Sequence, residues 1–378
     1  MSDCGPDRTA ATLVGVMNQS TFQGGYTMKS RGIAVLAGLA ALMVAGVIAG
    51  AGSAGTSALA GGKIVYAGVD PQDGQSDVYA VKADGSGKTN LTDDGAARKD
   101  VSPELSRDGS AIVFVRHPAQ GGTRLMVAKA NGTGLMDVTP NKAGLVGTIA
   151  EPSWSPDGNQ IVFASNVDGN YELYVLDLRT MATAQLTRTL APVQNLDPAW
   201  SPTGKAIAFS RSGLAVTSGA ASLYQLRLDS TTGPARLTKT TGIDGDVDPV
   251  YSPNGRQIAF SSDRIGNDDI FLLDLGSFTV TKMTGTKDRD VQPSFAPDGS
   301  AFVYVSDRSG ATELWAQSLM TLTPGVSTAV QLTSDGASKS HPSWGPEVAA
   351  QPVPVSPPAA TATKAPPMPP VAVAPPAA

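Results

Sequence analysis

The sequence predicts an all-β fold, a six-bladed β-propeller of four-stranded antiparallel blades, from three observations. A turn signal built on Pro, an aromatic or large apolar residue and Ser-Pro-Asp-Gly recurs in six segments. Strand-like runs follow each signal in a constant order. The first and last repeats are each incomplete, and together they make one blade. Successive signals lie about 44 to 51 residues apart, the length of one four-stranded blade.

The signals begin at Pro103, Pro152, Pro198, Pro249, Pro293 and Pro342, and the second reads Pro152-Ser153-Trp154-Ser155-Pro156-Asp157-Gly158. Proline presets φ for the second place of a type I turn, Asp or Asn suits the third, and Gly tolerates positive φ after it. Each signal therefore ends one strand and starts another. Apolar β-branched and aromatic runs follow, as in Ile161-Val162-Phe163 and Ile258-Ala259-Phe260. Runs apolar on both faces suit blades packed between neighbours. A third strand comes next, as in Ile270-Phe271-Leu272-Leu273, and a fourth ends in an aliphatic–Thr pair such as Leu186-Thr187.

The ends of the array specify closure. Residues 63–92 supply strands two, three and four, and Pro342–Trp344 supplies a first strand alone. Sharing one blade between the two ends removes the exposed edges of an open array. The predicted organisation is a leader over 1–60, a propeller over 61–347 and a Pro/Ala-rich disordered tail over 348–378.

In the leader, Lys29 and Arg31 precede an uncharged run from Ile33 to Ala51, and small residues lead to Ala58-Leu59-Ala60. This describes a secretory signal starting at Met28, either a cleaved signal peptide or an uncleaved anchor. The expected location is extracytoplasmic: secreted, periplasmic or at the cell surface. The tail is almost entirely Pro, Ala and Val, a composition that extends as polyproline II and builds no core.

Composition narrows the function. A net charge of -5 and a pI near 5.1 exclude a phosphate-binding basic footprint, so no nucleic-acid partner is expected. The one cysteine, Cys4, precedes the apolar run, and the histidines are His117 and His341 alone. Neither an internal disulfide nor a Cys- or His-rich metal site can be built. Gly85-Ser86-Gly87-Lys88-Thr89 looks like half a phosphate loop, but Lys82 stands in the place of its first Gly, so a hairpin turn is expected.

The unit Pro-x-Trp-Ser-Pro-Asp-Gly, Ile-x-Phe-x-Ser, Leu-Tyr and Leu-Thr resembles the propeller repeat of the TolB family. Ser262-Asp263-Arg264-Ile265-Gly266 and Ser306-Asp307-Arg308-Ser309-Gly310 are similar to that family's hairpin between strands two and three. Ser210–Ser222 departs from it, lacking the Asp-Arg turn. TolB proper carries an α/β domain ahead of its propeller, whereas here the repeats follow the leader. Similar propellers are fused to serine peptidases, but no G-x-S-x-G nucleophile elbow occurs in this sequence.

Immediately before the anchor prolines stand Ser102, Glu151, Asp197, Asp248, Gln292 and His341; two places earlier stand Asp100, Ile149, Asn195, Asp246, Asp290 and Lys339. First strands line a propeller's channel, so the expected site is a channel mouth formed by Asp100, Glu151, Asp197, Asp246, Asp248, Asp290 and His341. These side chains either cap the entering loops or bind a ligand. The expected function is a monomeric, non-catalytic binding protein that docks a protein or peptide partner through one propeller face. No cofactor is expected beyond a divalent cation at the acidic mouth, and membrane contact arises only through an uncleaved leader. The alternative is a carbohydrate-active lyase or hydrolase using channel carboxylates. Its mark would be a basic cluster holding an acidic sugar, and only Lys99 and Lys339 stand near the mouth.

Overall fold

A computed structural model describes residues 59, 61–70, 74–95, 97–140, 147–213, 220–239, 245–319 and 328–347. All but Leu59 of the leader, and the tail, lie outside the described residues, as does much of the Gly- and Ala-rich insertion after Ser210. Among the described residues all 24 regular elements are strands. No helix there is long and apolar enough to cross a membrane.

The strands run in antiparallel sets of four. β1 (Lys63–Val69), β2 (Ser76–Lys82) and β3 (Thr89–Asn90) pair in order, and β24 (Lys339–Gly345) pairs with β1 from the other end of the described chain. Next come β4 (Arg98–Leu105), β5 (Ala111–Pro118), β6 (Arg124–Lys129) and β7 (Met136–Asp137), linked to the first set by a parallel pair between Ser76 and Lys99. Then follow β8 (Ile149–Trp154), β9 (Gln160–Ser165), β10 (Glu172–Asp177) and β11 (Thr183–Gln185). β12 (Gln194–Trp200), β13 (Ala206–Ser212), β14 (Ser222–Arg227) and β15 (Ala235–Arg236) repeat the order. So do β16 (Asp246–Tyr251), β17 (Gln257–Ser262), β18 (Asp269–Asp274) and β19 (Val280–Lys282). The last is β20 (Asp290–Phe295), β21 (Ala301–Ser306), β22 (Glu313–Ser318) and β23 (Val330–Gln331).

The turn chemistry explains the hairpins. In each complete repeat the turn glycine donates its N–H to the carbonyl three residues back, as from Gly158 to Ser155 at 2.9 Å. Gly109, Gly158, Gly204, Gly255 and Gly299 all take φ between 69° and 75°, the left-handed region glycine enters without a steric penalty. The aliphatic–Thr pair has an equally regular role. The hydroxyls of Thr92, Thr139, Thr187, Thr238, Thr284 and Thr333 each accept an N–H from the second or third residue of the third strand of their set, at 2.9–3.0 Å. The short fourth strand is thereby held beyond its few backbone bonds.

Alternation along the second and third strands sends side chains into two different cores. On β1, Ile64 and Tyr66 pack with Val303 and Leu314 of the β20–β23 set, while Val65 packs with Ile112 and Phe114 of the β4–β7 set. Six hydrophobic clusters arise, each filled from two successive sets. Phe114, Phe209, Phe260 and Tyr304 are wholly buried in them. Each contributes roughly 1.5–3 kcal/mol relative to an exposed ring.

Candidate functional site

The first strands β4, β8, β12, β16, β20 and β24 surround a cavity of about 340 Å³. At one level stand Ser102, Glu151, Asp197, Asp248, Gln292 and His341; at the other is a rim formed by the Ser-Pro-Asp-Gly turns. All six residues of the first group have φ between 50° and 57°, a left-handed conformation uncommon outside glycine and costly enough to need support. Each lies at a break in the pairing of its strand, between Val101 and Glu104 in β4 and between Ala150 and Ser153 in β8. These are β-bulges, and a bulge re-aims a side chain.

That re-aiming divides the expected mouth into two layers. Residues two apart share a face only in a regular strand, and the left-handed residue breaks the period. Glu151, Asp197, Asp248 and His341 line the cavity, as expected. Asp100, Asp246 and Asp290 do not; each is fully buried beside an arginine. Asp100 accepts from Arg116 at 2.8 Å, Asp246 from Arg264 at 2.6 Å and Asp290 from Arg308 at 2.8 Å. The guanidiniums of Arg264 and Arg308 also lie 4.7–5.3 Å from aromatic ring centroids, a cation–π contact. The Ser-Asp-Arg hairpin is thus a structural lock. Arg211 serves the same purpose opposite Asn195 at 2.7 Å, although the surrounding turn departs from the pattern. Lys339 reverses the charge: it is buried and paired with Glu313 at 3.0 Å.

The first strands splay and leave backbone N–H groups that must find partners. Two belts of side chains supply them. In the first, Glu151 accepts the N–H of Asp197 at 2.8 Å, Asp197 that of Asp248 at 3.3 Å, and Gln292 that of His341 at 2.9 Å. Ser261 takes the N–H of Gln292 at 2.8 Å while donating to Asp248 at 3.0 Å. In the second belt, two residues on, Glu104 accepts the N–H of Trp154 at 3.3 Å and Ser153 that of Trp200 at 3.2 Å. Ser294 accepts that of Trp344 and Ser343 that of Leu105, both at 3.0 Å. Capping is therefore a present role of the ring acids.

Enclosure by protein shifts these groups. Desolvation, with the neighbouring Asp197 carboxylate adding to it, holds Glu151 well above the usual carboxylate range. Asp248 is pushed up to about 7 by the same two causes in that order. Glu104, which the repeat comparison did not single out, is raised to about 8 by desolvation. His341 is depressed to about 4 by burial, so it is neutral at physiological pH. Gln292 Nε2 lies 3.0 Å from His341 Nε2, which fits a donating amide and an accepting ring nitrogen. Among the described residues no group of three or more His, Cys, Asp or Glu side chains has the arrangement to hold a metal ion.

The architecture defines the class first: an all-β protein of four-stranded antiparallel sheets, as in a propeller. The sequence matches the family described as PD40, the TolB beta propeller domain, over residues 137–243 and 214–350. The chain belongs to that family. Protein TolB homolog of Chlorobium luteolum is 30% identical over 169 residues, 45% of this chain and 35% of that protein. The Tol-Pal system protein TolB of Bordetella pertussis is 30% identical over 124 residues, covering 32% and 26%. These matches span about a third or less of the relatives' lengths. Among solved structures, TolB from Acinetobacter baumannii superposes with a TM-score of 0.62 at 23% identity, covering 76% of this chain and 67% of that one. That likeness is one of fold.

Proposed function

We propose that the chain is an extracytoplasmic, non-catalytic six-bladed β-propeller that docks a protein or peptide partner by taking a basic side chain into its cavity. Ring closure is supported by the pairing of β24 with β1 and by the Ser343–Leu105 bond. Export is supported by the leader's pattern and by relatives named TolB, one of them a Tol-Pal system protein.

The observation that carries the docking reading is a surplus of charge. Gln292 caps its neighbour with an amide oxygen, as Glu151 and Asp197 do with carboxylates. Capping alone therefore needs no ionisable group at positions 151, 197 and 248. Enclosed carboxylates cost stability when ionised, and a cation brought among them relieves that cost. The basic lining residues are Arg107 and His341 alone, which offers no cluster for an acidic sugar.

The test is Glu151→Gln, Asp197→Asn and Asp248→Asn together, titrated with a short lysine peptide. The parent is expected to bind more weakly as salt rises. Cation binding lowers the pKa of Glu151 and Asp248 and releases protons, so affinity should rise with pH through about 7. The triple variant should melt at or above the parent and lose the response. Unchanged binding together with lower stability would leave capping as the sole role.

A further inference from the structure

Four of the five rim turns place proline at one position, Pro156, Pro202, Pro253 and Pro297, and Pro346 stands at the equivalent place after β24. The remaining turn places Arg107 there. Pro156, Pro202 and Pro253 lie against Gly204, Gly255 and Gly299 of the next turn, which makes that part of the rim uncharged and stiff. Arg107 is exposed and points elsewhere, its Nη2 donating to the Pro253 carbonyl oxygen at 3.4 Å. β4 and β16 are separated by two first strands in either direction, so this side chain crosses the mouth. A long, solvated contact of that kind is readily exchanged for another partner.

Charge along the cavity is graded as a result. With His341 neutral, Arg107 is the sole fixed cation among the described lining residues, while Glu151, Asp197 and Asp248 stand at the other level of the cavity. Arg107 stands five positions after Ser102, in the turn that follows β4, and Ser102 to Leu105 alone spans roughly 10 Å at the usual strand rise. Resting on the docking reading above, we infer that Arg107 determines the cavity's specificity. It bars the mouth to purely basic segments and admits one whose basic side chain leads to the floor while an acidic group about four residues behind pairs with the guanidinium.

Two capped pentapeptides test this, Lys-Gly-Ser-Gly-Asp and Lys-Gly-Ser-Gly-Asn, titrated against the full chain and against Arg107→Pro and Arg107→Gln. Trp154, Trp200 and Trp344 line the cavity, so intrinsic fluorescence reports occupancy. Proline already occupies this place in four turns and suits it, and the glutamine variant checks any effect on the turn. The parent should prefer the acidic peptide by roughly two- to fivefold, the range of one exposed ion pair. Both variants should lose the preference and bind the Asn peptide at least as tightly as the parent, with faster association. A preference that survives in both variants, or is absent from a parent that binds both peptides, overturns the role of Arg107 and leaves docking intact. Failure of both peptides to bind any of the three proteins overturns the docking reading and this inference together.

Discussion

Glu104→Gln should stabilise the protein at neutral pH, and the size of the effect follows from where the carboxyl sits. Its side chain accepts from Ser153 Oγ and from the Trp154 N–H, both at 3.3 Å. The two bonds fall on different carboxyl oxygens; in glutamine the amide oxygen can take the Trp154 N–H while the amide nitrogen donates to Ser153 Oγ, reversing that bond. Desolvation raises the group from 4.5 to about 8, so the folded state holds a proton that the unfolded chain releases above pH 4.5. Stability is therefore full below 4.5, falls as pH rises and levels off beyond about 8. At pH 7 the proton has been held over 2.5 pH units (7 − 4.5), a cost of about 3 kcal/mol at 1.36 kcal/mol per unit. Glutamine removes that cost. Urea melts of parent and variant at pH 4.5, 6, 7 and 8 should coincide at the acid end and diverge steadily towards neutrality. A variant no more stable than the parent at pH 7 would refute the reasoning, because the carboxyl would then be ionised in the fold.

Lys339→Met should cost about 3–5 kcal/mol, since it leaves Glu313 buried without its cation; a melting temperature within 2 °C of the parent would show the pair to be dispensable. Exported protein should begin at Gly61 if Ala58-Leu59-Ala60 is cleaved, which N-terminal sequencing reads directly. Leu59 packs against the core around Ile64 and Trp344, so retention of that residue would instead join the leader's end to the folded unit.

Strand order, turns and the pairing of the last strand with the first were legible in the sequence because each rests on local chemistry repeated in register. The Ser-Pro-Asp-Gly turn declares itself through proline's fixed φ and glycine's positive one, and alternation on β1 assigns its two faces. The site was legible only in part. Placing Asp100, Asp246 and Asp290 beside Glu151, Asp197 and Asp248 assumed an unbroken strand, and the bulge before each anchor proline was not visible in residue types as varied as Ser, Glu, Gln and His. Burial beside Arg116, on the second strand opposite Asp100, and beside Arg264 and Arg308, in the hairpins that follow second strands, depends on how those segments fold back over the first strand. Glu104 and Arg107 did carry a signal. They stand where the other repeats have small or apolar residues and proline, and a comparison of repeats for their exceptions would have found both.

The two belts complement each other, and that pattern yields a test of the seams between first strands. From β8 to β12 both belts act, through Glu151 and Ser153. From β12 to β16 the second belt has Ala199, which offers no acceptor, and Asp197 accepts the Asp248 N–H alone. Asp197 also receives the Ser210 hydroxyl, so its removal strands two donors. Asp197→Ala should therefore cost about 1–3 kcal/mol, and Ser153→Ala, which strands the Trp200 N–H and removes a donor from Glu104, should fall in the same range. Asp197→Asn keeps an acceptor and removes a charge that raises Glu151 and Asp248; it should melt at or above the parent. Chemical denaturation of the three variants at pH 7 should place Asp197→Asn above both Asp197→Ala and Ser153→Ala. An asparagine variant as unstable as the alanine one would mean that the carboxylate's charge itself holds the seam, and the charge at position 197 would then no longer be free for a ligand.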